Sequence, residues 1–529
     1  MIRGNIIEQI VVAVILSNAV NCVCGSRILA IFPTASYSHQ IVLNEFAKQL
    51  HRRGHEIVVV TPNPNMNEVS ENYTEIDISF TQEDIADLDF IEARRDQGML
   101  SVFKLFWDIL DDSVAKIYEL PELRKLYAPE SGEKFDLVIV EAFIHQGLFS
   151  LAHRFDAPLI GITSLGLSIP FHYVMGNPMM TSHPSIWELE YRTGTNVPLW
   201  RKIWNFVDVW RYYYEFQSRH LVRQNALSKK YLGKDTPDIW DIQNNISFVL
   251  YNQDPVISYG RPNVPGVIPF RGFHISKKLQ PLSKDLQDFL DGAKSGFIYM
   301  SLGTNAKSKF LPNETKEMFL QIFSKLPQRV LWKFESDLHG KSDNIFISKW
   351  LPQQTVLSHP NVKLFIYQGG LQSTEEAIHY KVPLLGIPVL ADQDSQVNRM
   401  VDHGVAKRLE ILTLEKVQVE EAIHEVITDK RYKENMVKLN ALVNDEPYDS
   451  LQNAIWWTEF VIRHKGAPHL RSTTANEVWY ERFDMDVIVT LTLTLFILFI
   501  TLSLVLIKLT ILTFRLYSKL FTSSKQKTL

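Results

Sequence analysis

A histidine and a glutamate stand where they could activate a hydroxyl group for nucleophilic attack. His39 follows an apolar run at residues 27–32 and opens a helical stretch, and Glu141 follows a second apolar run at residues 135–140. A neutral imidazole can remove a proton from a hydroxyl because its reference pKa lies near neutrality. Such a base needs a group that orients its far nitrogen, and a carboxylate can do this. The alternatives are a structural histidine and a solvated loop glutamate.

Two glycine-containing segments are suited to a phosphate group. One follows an apolar run at residues 297–301, and the other lies between a run at residues 362–367 and a helical stretch. Glycine lets the backbone approach a ligand closely, and the free N–H groups at the start of a helix favour an anion. Plain turns are the alternative. The residues concerned are Ser301, Gly303, Thr304, Gln368, Gly369 and Gly370.

An aromatic residue and a polar pair complete the candidates. Trp350 follows an apolar run at residues 344–349. Its indole can stack on a nucleic base or pack in the core, which is the commoner role. Asp392 and Gln393 follow Pro388 and can bind the hydroxyls of a sugar, or simply face solvent.

The apolar runs that precede these candidates predict buried parallel strands. The order strand, helix, strand at the start of the chain indicates a right-handed crossover, and a second alternation begins near residue 296. We predict an α/β protein in which two Rossmann-like domains face each other across a cleft, joined by a linker at residues 272–283. Ligands in such sheets sit beyond the carboxyl ends of the strands. The predicted strands are residues 27–32, 56–61, 135–140, 159–163, 297–301, 329–333, 344–349, 362–367 and 384–387.

Two segments of the first half need a separate interpretation. Residues 38–53 carry apolar side chains four residues apart and end before Gly54, which predicts an amphipathic helix. No GxGxxG motif follows the first strand, so the dinucleotide fingerprint is absent.

Residues 165–240 are rich in aromatic residues at irregular spacing. They either line an apolar pocket or form a helical insertion with an aromatic core.

Composition excludes several classes of protein. The chain has 529 residues, too many for one ordinary core, and a net charge of −4 that argues against nucleic acid as a partner. Residues 1–25 combine Arg3 with an apolar run and resemble a signal peptide. The two cysteines, Cys22 and Cys24, lie beside the expected cleavage point. Zinc–cysteine sites and cysteine nucleophiles are therefore excluded.

The C-terminal segment predicts a membrane anchor. Residues 487–507 carry no charge and are long enough to span a bilayer, and the tail at residues 508–529 is basic. The positive-inside rule places that tail in the cytosol and the preceding chain in the lumen. Asn72, Asn245 and Asn313 open glycosylation sequons, which agrees with a luminal face. Lysines third and fifth from the end resemble an endoplasmic reticulum retrieval signal, with a plain basic tail as the alternative. We expect a single-pass type I protein of the endoplasmic reticulum membrane.

Residues 346–410 resemble the donor-binding signature of UDP-glycosyltransferases, the group that includes UDP-glucuronosyltransferases. The order and spacing of the motif residues agree with that signature over more than forty residues. Residues 33–39 resemble the family's N-terminal catalytic segment, and residues 463–471 resemble the segment before its membrane helix. The motif residues are Trp350 to Gln354, His359, Gln368 to Gly370, Glu376, Val382, Pro388, Asp392 and Gln393.

The resemblance implies a GT-B fold and an inverting transfer that uses no metal or other cofactor, with a UDP-sugar as co-substrate. The implied divisions are an acceptor-binding domain at residues 26–275, a donor-binding domain at 284–445 and a membrane-proximal segment at 446–486. His39 would be the general base, and Glu141 would occupy the place of the family's usual aspartate. The implied donor contacts are Trp350 and Gln353 at uracil, Glu376 at ribose, Ser301, Thr304, Gln372 and Ser373 at the diphosphate, and Asp392 and Gln393 at the sugar.

One residue departs from the family pattern, and several functions stay open. Many members have histidine where this chain has Gln368, beside the diphosphate.

We expect transfer of glucose, with glucuronate as the alternative, to a small lipophilic acceptor, as in detoxification. The competing hypotheses are a membrane-held binding protein that has lost catalysis and a transferase that acts on lipids. A homo-oligomer is compatible with the sequence.

Overall fold

The computed structural model describes residues 25–65, 70–85, 88–96, 99–194 and 196–526. One compact unit ends at Ser472 and contains both sheets, and a second unit begins at Thr473. Apart from Gly25, the predicted signal peptide lies outside the described residues, as does Lys527 of the predicted retrieval signal.

The first sheet is fully parallel and forms the centre of what we call the N-terminal lobe. Within the described residues it has the strand order β3-β2-β1-β4-β5-β6-β7. Alternate residues of β1 enter different cores: Leu29 and Ile31 pack on one face, and Ile28 and Ala30 on the other. Because helices cover both faces, the strand has to be apolar throughout. The strands are β1 Arg27–Ile31, β2 Glu56–Thr61, β3 Tyr73–Asp77, β4 Leu137–Glu141, β5 Leu159–Thr163, β6 Ile246–Asn252 and β7 Val267–Phe270.

The second sheet, also parallel, forms the centre of the C-terminal lobe. Its strand order in the described chain is β10-β9-β8-β11-β12-β13. Its strands are β8 Phe297–Ser301, β9 Arg329–Lys333, β10 Ile345–Ser348, β11 Val362–Tyr367, β12 Leu384–Gly386 and β13 Ala406–Arg408.

Helices connect the strands and cover both sheets. Those before the second sheet are α1 Tyr37–Arg52, α2 Phe90–Asp96, α3 Met99–Glu119, α4 Pro121–Tyr127, α5 Ser150–Arg154, α6 Ile169–Met175, α7 Leu199–Glu215, α8 Leu221–Leu232, α9 Ile239–Gln243 and α10 Lys284–Asp291. Those that follow are α11 Asn313–Phe323, α12 Gln353–Ser358, α13 Leu371–Tyr380, α14 Gln393–Asp402, α15 Lys416–Thr428, α16 Lys430–Val443, α17 Ser450–His464, α18 Trp479–Arg482 and α19 Met485–Gln526.

The predicted fold class, an α/β protein with two parallel sheets, is confirmed. The predicted strands agree with the observed ones to within about two residues at either end. One shift matters for the site, since Glu141 is the last residue of β4, paired in register with Ile162, rather than the first residue after it. The aromatic segment at residues 165–240 is mainly helical, in α6 to α9, so the helical insertion is the correct interpretation of its backbone.

The chain returns to the N-terminal lobe after it has completed the second sheet. Helix α17 places Ala454, Ile455 and Val461 in the same core as Ile28 and Ala30 of β1. Two connections therefore join the lobes, one after β7 and one between α16 and α17.

The second unit contains an apolar helix that can cross a membrane by its length and composition. Within α19, residues Met485–Lys519 have a mean hydropathy of 2.7 in their most apolar window. The predicted span at residues 487–507 falls inside this helix, which continues into the basic segment.

Candidate active site

His39 and Glu141 form a buried pair at the carboxyl ends of adjacent strands. His39 lies in the first turn of α1, directly after β1, and is 6% exposed. Its Nδ1 lies 2.7 Å from Oε1 of Glu141, and Oε2 of Glu141 accepts a hydrogen bond from the Thr34 amide at 3.1 Å. The structure thus brings together the two residues that the sequence proposes as a base and its partner. A glutamate is one methylene longer than an aspartate, and here it reaches the ring at hydrogen-bond distance.

The environment of Glu141 favours its ionised form. Burial alone would raise the pKa of Glu141, but hydrogen bonds from His39 and Thr34 and the nearby histidines outweigh burial and lower it. An ionised carboxylate accepts a hydrogen bond from Nδ1–H of His39. This fixes the ring tautomer and leaves Nε2 as the proton acceptor.

A second buried histidine and an aromatic wall adjoin the pair. Burial lowers the pKa of His145 to about 4, although the charge of Glu141 opposes this, so His145 is neutral near pH 7. The rings of Phe143 and His39 are 5.9 Å apart, and Phe103 touches both Phe143 and Trp187. The sequence motifs did not single out these four residues, because none of them lies in a glycine-rich or polar segment. Together they give the base an apolar surrounding.

A cavity of about 580 Å³ opens between the two lobes. Its lining contains most of the residues that the sequence assigns to a nucleotide donor. From the C-terminal lobe these are Ser301, Gly303, Thr304, Trp350, Gln353, Gln368, Gly370, Gln372, Ser373 and Glu376. Five of the predicted site residues are not part of this lining, namely His39, Glu141, Gly369, Asp392 and Gln393.

One end of the cavity offers a flat aromatic surface. Trp350 is 50% exposed, and the ring of Tyr37, from the N-terminal lobe, contacts it edge-on at 4.8 Å between centroids. Nζ of Lys333 lies 5.8 Å from the centre of the Trp350 ring. A half-exposed indole can stack on a nucleic base.

A cluster of polar side chains that can bind two adjacent hydroxyl groups of a ligand lies next to this surface. Gln353 donates to Oε2 of Glu376 at 2.6 Å and to the Ser373 hydroxyl at 2.9 Å. Burial raises the pKa of Glu376 to about 7, against the hydrogen bonds from Gln353 and Gln354. A ligand that donates hydroxyl groups to Glu376 would favour the ionised form.

Two glycines adopt positive φ angles next to the cavity, and Gly303 is part of its lining. Gly303 and Gly369 have φ angles of 82° and 95°, which side-chain-bearing residues rarely adopt. A Cβ at Gly303 would lie 2.2 Å from Nε2 of Gln368, so the Gln368 amide lies directly over this glycine. The next helix, α13, begins at Leu371 and directs its first N–H groups toward this region.

Gln368 and Lys333 supply polar groups at the same place. Among the described residues, the buried Oε1 of Gln368 has no hydrogen-bond partner. Such a group costs about 1–3 kcal/mol when left unpaired. Oε1 can only accept a hydrogen bond, so Nε2 is the atom of Gln368 that can donate to a phosphate oxygen. Lys333, which the sequence motifs did not reveal, donates from Nζ to the Gly303 carbonyl at 2.9 Å and to Glu335 at 2.8 Å. It brings a positive charge to the lining, partly balanced by that carboxylate.

Asp392 and Gln393 lie at the start of α14. Burial raises the pKa of Asp392 to about 6, and the charge of His39 acts in the opposite direction. Gln393 has a structural role in its own turn, because Oε1 accepts hydrogen bonds from the amides of Val389 and Leu390, both at 2.8 Å. Asp392 is therefore the member of the pair that is left to bind a ligand.

The family follows from a comparison of the whole chain with known proteins. The family model described as "UDP-glucoronosyl and UDP-glucosyl transferase" matches residues 27–520. The chain belongs to the UDP-glycosyltransferase family. As a member of it, the protein is a glycosyltransferase that uses a UDP-sugar donor, which agrees with the nucleotide-sized cavity between the lobes.

Relatives in this UDP-glycosyltransferase family span almost the entire chain. UDP-glycosyltransferase UGT5 of Dactylopius coccus is 32% identical over 90% of each chain. The ecdysteroid UDP-glucosyltransferase of the Spodoptera littoralis nuclear polyhedrosis virus is 30% identical, with 88% of this chain and 93% of the relative aligned. Human UDP-glucuronosyltransferase 2B17 is 28% identical over 88% of this chain and 90% of its own length.

Solved structures agree with the fold of these UDP-glycosyltransferases. Arabidopsis thaliana UGT89C1, complexed with UDP-L-rhamnose, has a TM-score of 0.55 at 13% identity and covers 83% of this chain and 99% of its own. Glycosyltransferase VinC in complex with DTDP has a TM-score of 0.54 at 17% identity, with 83% and 100% covered. These similarities confirm the predicted GT-B arrangement of two Rossmann-like lobes.

Proposed function

We propose that the protein moves glucose from UDP-glucose to a hydroxyl group of a small lipophilic acceptor, with inversion at the anomeric carbon. The observation that carries this proposal is the His39–Glu141 pair, whose Nδ1–Oε1 distance is 2.7 Å, at the carboxyl edge of the first sheet. A base on one lobe and a nucleotide-sized cavity lined largely by the other are suited to a displacement at a sugar carbon.

The base would act on the acceptor. Nε2 of His39 takes the acceptor's hydroxyl proton as the oxygen attacks the anomeric carbon, and the carboxylate of Glu141 stabilises the imidazolium that forms. Attack from the side opposite the leaving group inverts the configuration, so an α-linked donor gives a β-glucoside.

The leaving group would depart into the C-terminal lobe. The bond between the anomeric carbon and the diphosphate oxygen breaks, and its electron pair leaves with UDP. The N–H groups that open α13, the Gln368 amide and the Lys333 ammonium are placed to stabilise the charge that grows there. Trp350 stacks on uracil and Glu376 accepts the ribose hydroxyls. This assignment requires no metal ion or other cofactor.

The acceptor and sugar classes follow from the surroundings of the base and from the relatives. Phe143 lies beside His39, and Phe103 and Trp187 extend the aromatic surface from it, which favours an apolar acceptor with a hydroxyl group. Glucose is favoured over glucuronate because two of the relatives, from Dactylopius coccus and an insect virus, are named UDP-glucosyltransferases. Attachment of a sugar makes a lipophilic compound more soluble in water, which fits a role in detoxification.

We place the transfer in the lumen of the endoplasmic reticulum. The apolar helix Met485–Lys519 and the basic residues that follow residue 507 support a cytosolic tail. The sequon residues Asn72, Asn245 and Asn313 are exposed, as glycosylation requires.

The experiment supplies the full-length chain in microsomes with UDP-glucose or UDP-glucuronate and a panel of phenols and steroids. Transfer from UDP-glucose to at least one acceptor is expected, with a β-glucoside as the product by NMR. A His39→Gln chain in the same microsomes serves as the matched control and should give no product. If the unaltered chain binds UDP but transfers neither sugar to any acceptor, the function fails and the binding-protein hypothesis replaces it.

A further inference from the structure

An arginine of the N-terminal lobe is bonded to the helix that carries the sugar-binding turn of the C-terminal lobe. Nη1 and Nη2 of Arg94, in α2, donate to the two carboxylate oxygens of Asp394 at 2.7 and 3.0 Å. Nε and Nη2 donate to the two oxygens of Glu410 at 3.0 and 2.9 Å. The guanidinium thus makes two bidentate contacts across the cleft, the geometry in which arginine binds carboxylates most strongly.

The contact with Asp394 is shielded from water, whereas the contact with Glu410 is partly exposed. The side chain of Arg94 is 6% exposed, that of Asp394 is 0% exposed and that of Glu410 is 33% exposed. Two other contacts between the lobes are neutral: the Asn305 amide donates to the Ser36 hydroxyl at 3.0 Å, and the Gln372 amide donates to the Ser164 carbonyl at 2.8 Å. The charged contact is therefore the stronger constraint on how the lobes meet at this point.

The position of Asp394 gives this constraint a function. Asp394 is in the first turn of α14, whose N-terminal cap is Asp392 and whose first residue is Gln393. Arg94 therefore also constrains the position of Asp392, which precedes Asp394 by two residues in the same turn. The other end of α2 is fixed to the N-terminal lobe, because Phe90 is buried and its ring lies 6.1 Å from that of Phe106.

The C-terminal lobe retains its own contacts to Asp394 without Arg94. Arg408, on β13, is ion-paired with Asp394 and donates to Asn398 at 2.6 Å, which ties α14 to its own sheet. The charges balance when all four groups are present, with two arginines against Asp394 and Glu410. Loss of Arg94 would leave Asp394 with one counter-ion, so the effect should fall on the meeting of the lobes rather than on the folding of either one.

We propose that Arg94 is a positioning residue that holds the Asp392–Gln393 turn opposite His39 when the lobes close on a UDP-sugar. The idea rests on the proposed function, because it assigns the turn to the sugar and His39 to the acceptor. Arg94 itself touches neither substrate. A misplacement of about 1 Å between reacting groups can reduce a rate by about 100-fold, so a lost clamp of this kind is measurable.

The test compares two variants. Arg94→Gln removes the positive charge, and Arg94→Lys keeps the charge but cannot make the bidentate contacts. Arg95→Gln is the matched control, since Arg95 is the next residue of α2 and is exposed. We expect Arg94→Gln to lower kcat/KM for UDP-glucose by about 10- to 100-fold, with Arg94→Lys in between and Arg95→Gln unchanged. Asp394→Asn should lower it as well, and combining it with Arg94→Gln should add little, because both changes break one contact.

Calorimetry provides a readout that does not depend on turnover. The affinity for UDP should be unchanged in Arg94→Gln, because the residues assigned to uracil and ribose lie elsewhere in the C-terminal lobe. The additional affinity for UDP-glucose, relative to that for UDP, should fall. Equal kinetics of Arg94→Gln and Arg95→Gln would overturn the proposal. So would a parallel loss of UDP affinity and melting temperature, which would show a purely structural role. An unaltered chain without transferase activity would refute the proposed function instead, and the calorimetric comparison would still decide whether Arg94 positions the sugar.

Discussion

Removal of the Gln368 side chain should change activity and stability in opposite directions. In the free protein the buried Oε1 has no partner among the described residues, and such an unpaired group costs about 1–3 kcal/mol. Gln368→Ala removes that cost, so the variant should be at least as stable as the parent. In the transition state the amide donates to a diphosphate that gains charge, and a hydrogen bond to a charged group is worth about 1.5–3 kcal/mol. Its loss predicts a decrease of about 10- to 150-fold in kcat/KM for the donor.

The assay measures kcat/KM for UDP-glucose and the melting temperature of the same preparations. Gln354→Ala is the comparison, because Gln354 also lines the cavity but is bonded at both ends, to the His274 carbonyl and the Ser276 amide, each at 2.9 Å. That variant should lose stability. Gln368→His should retain more activity than Gln368→Ala and should gain activity as the pH falls through neutrality, when imidazole becomes charged. An alanine variant with the parent's kcat/KM, or one that loses activity and stability together, would refute the placement of this amide at the diphosphate.

Three further predictions follow from other parts of the molecule. His39→Ala should lower the transfer rate by about 100-fold or more with UDP affinity intact, and Glu141→Ala should add little to it, since the two side chains act as a unit; additive losses in kcat would contradict this. Protease added to sealed microsomes should remove only a tail of about twenty residues, and digestion of the whole body would reverse the assigned topology. Burial raises the pKa of Glu375 to about 8 from its ordinary value of 4.5, so its ionisation opposes folding, fully above pH 8 and not at all below about pH 4.5. Glu375→Gln should therefore raise the free energy of unfolding by up to about 5 kcal/mol at pH 9 and leave it unchanged at pH 4. Urea titrations that give an equal effect at the two pH values would contradict this.

The strands that could be predicted were those with a continuous apolar run. β2, β5, β8, β9 and β11 have the predicted bounds, because strands covered by helices on both faces need an apolar residue at every position. β3, β6, β7 and β13 were missed. β3 and β13 are edge strands, only partly buried, and their sequences Tyr73–Asp77 and Ala406–Arg408 contain charged residues. β7 is a four-residue edge strand that contains a proline, and β6 is buried along its whole length but has polar residues among its apolar ones.

The site was predictable to the extent that its residues follow strands. His39 and Glu141 are 102 positions apart in the chain, yet the rule that carboxyl ends share one edge of a parallel sheet was sufficient to propose that they meet. Lys333 and Arg94 were missed for a different reason. Lys333 is the last residue of β9, so the sequence indicates only the end of a strand. Arg94 acquires its role from two carboxylates that the other lobe supplies. Contacts between lobes carry no signal in local sequence.

The two connections between the lobes lie side by side, and Arg271 joins them. Its guanidinium is bonded to the Val443 carbonyl and to Glu446 at 2.9 Å, and its backbone amide donates to Ser450 at 3.1 Å. Two adjacent covalent links restrict the lobes mainly to rotation about the axis that passes through both. We therefore expect the cleft to open at the edge opposite these links. A chain cut before α17 would lose one of the two links and, with it, the directionality of closure.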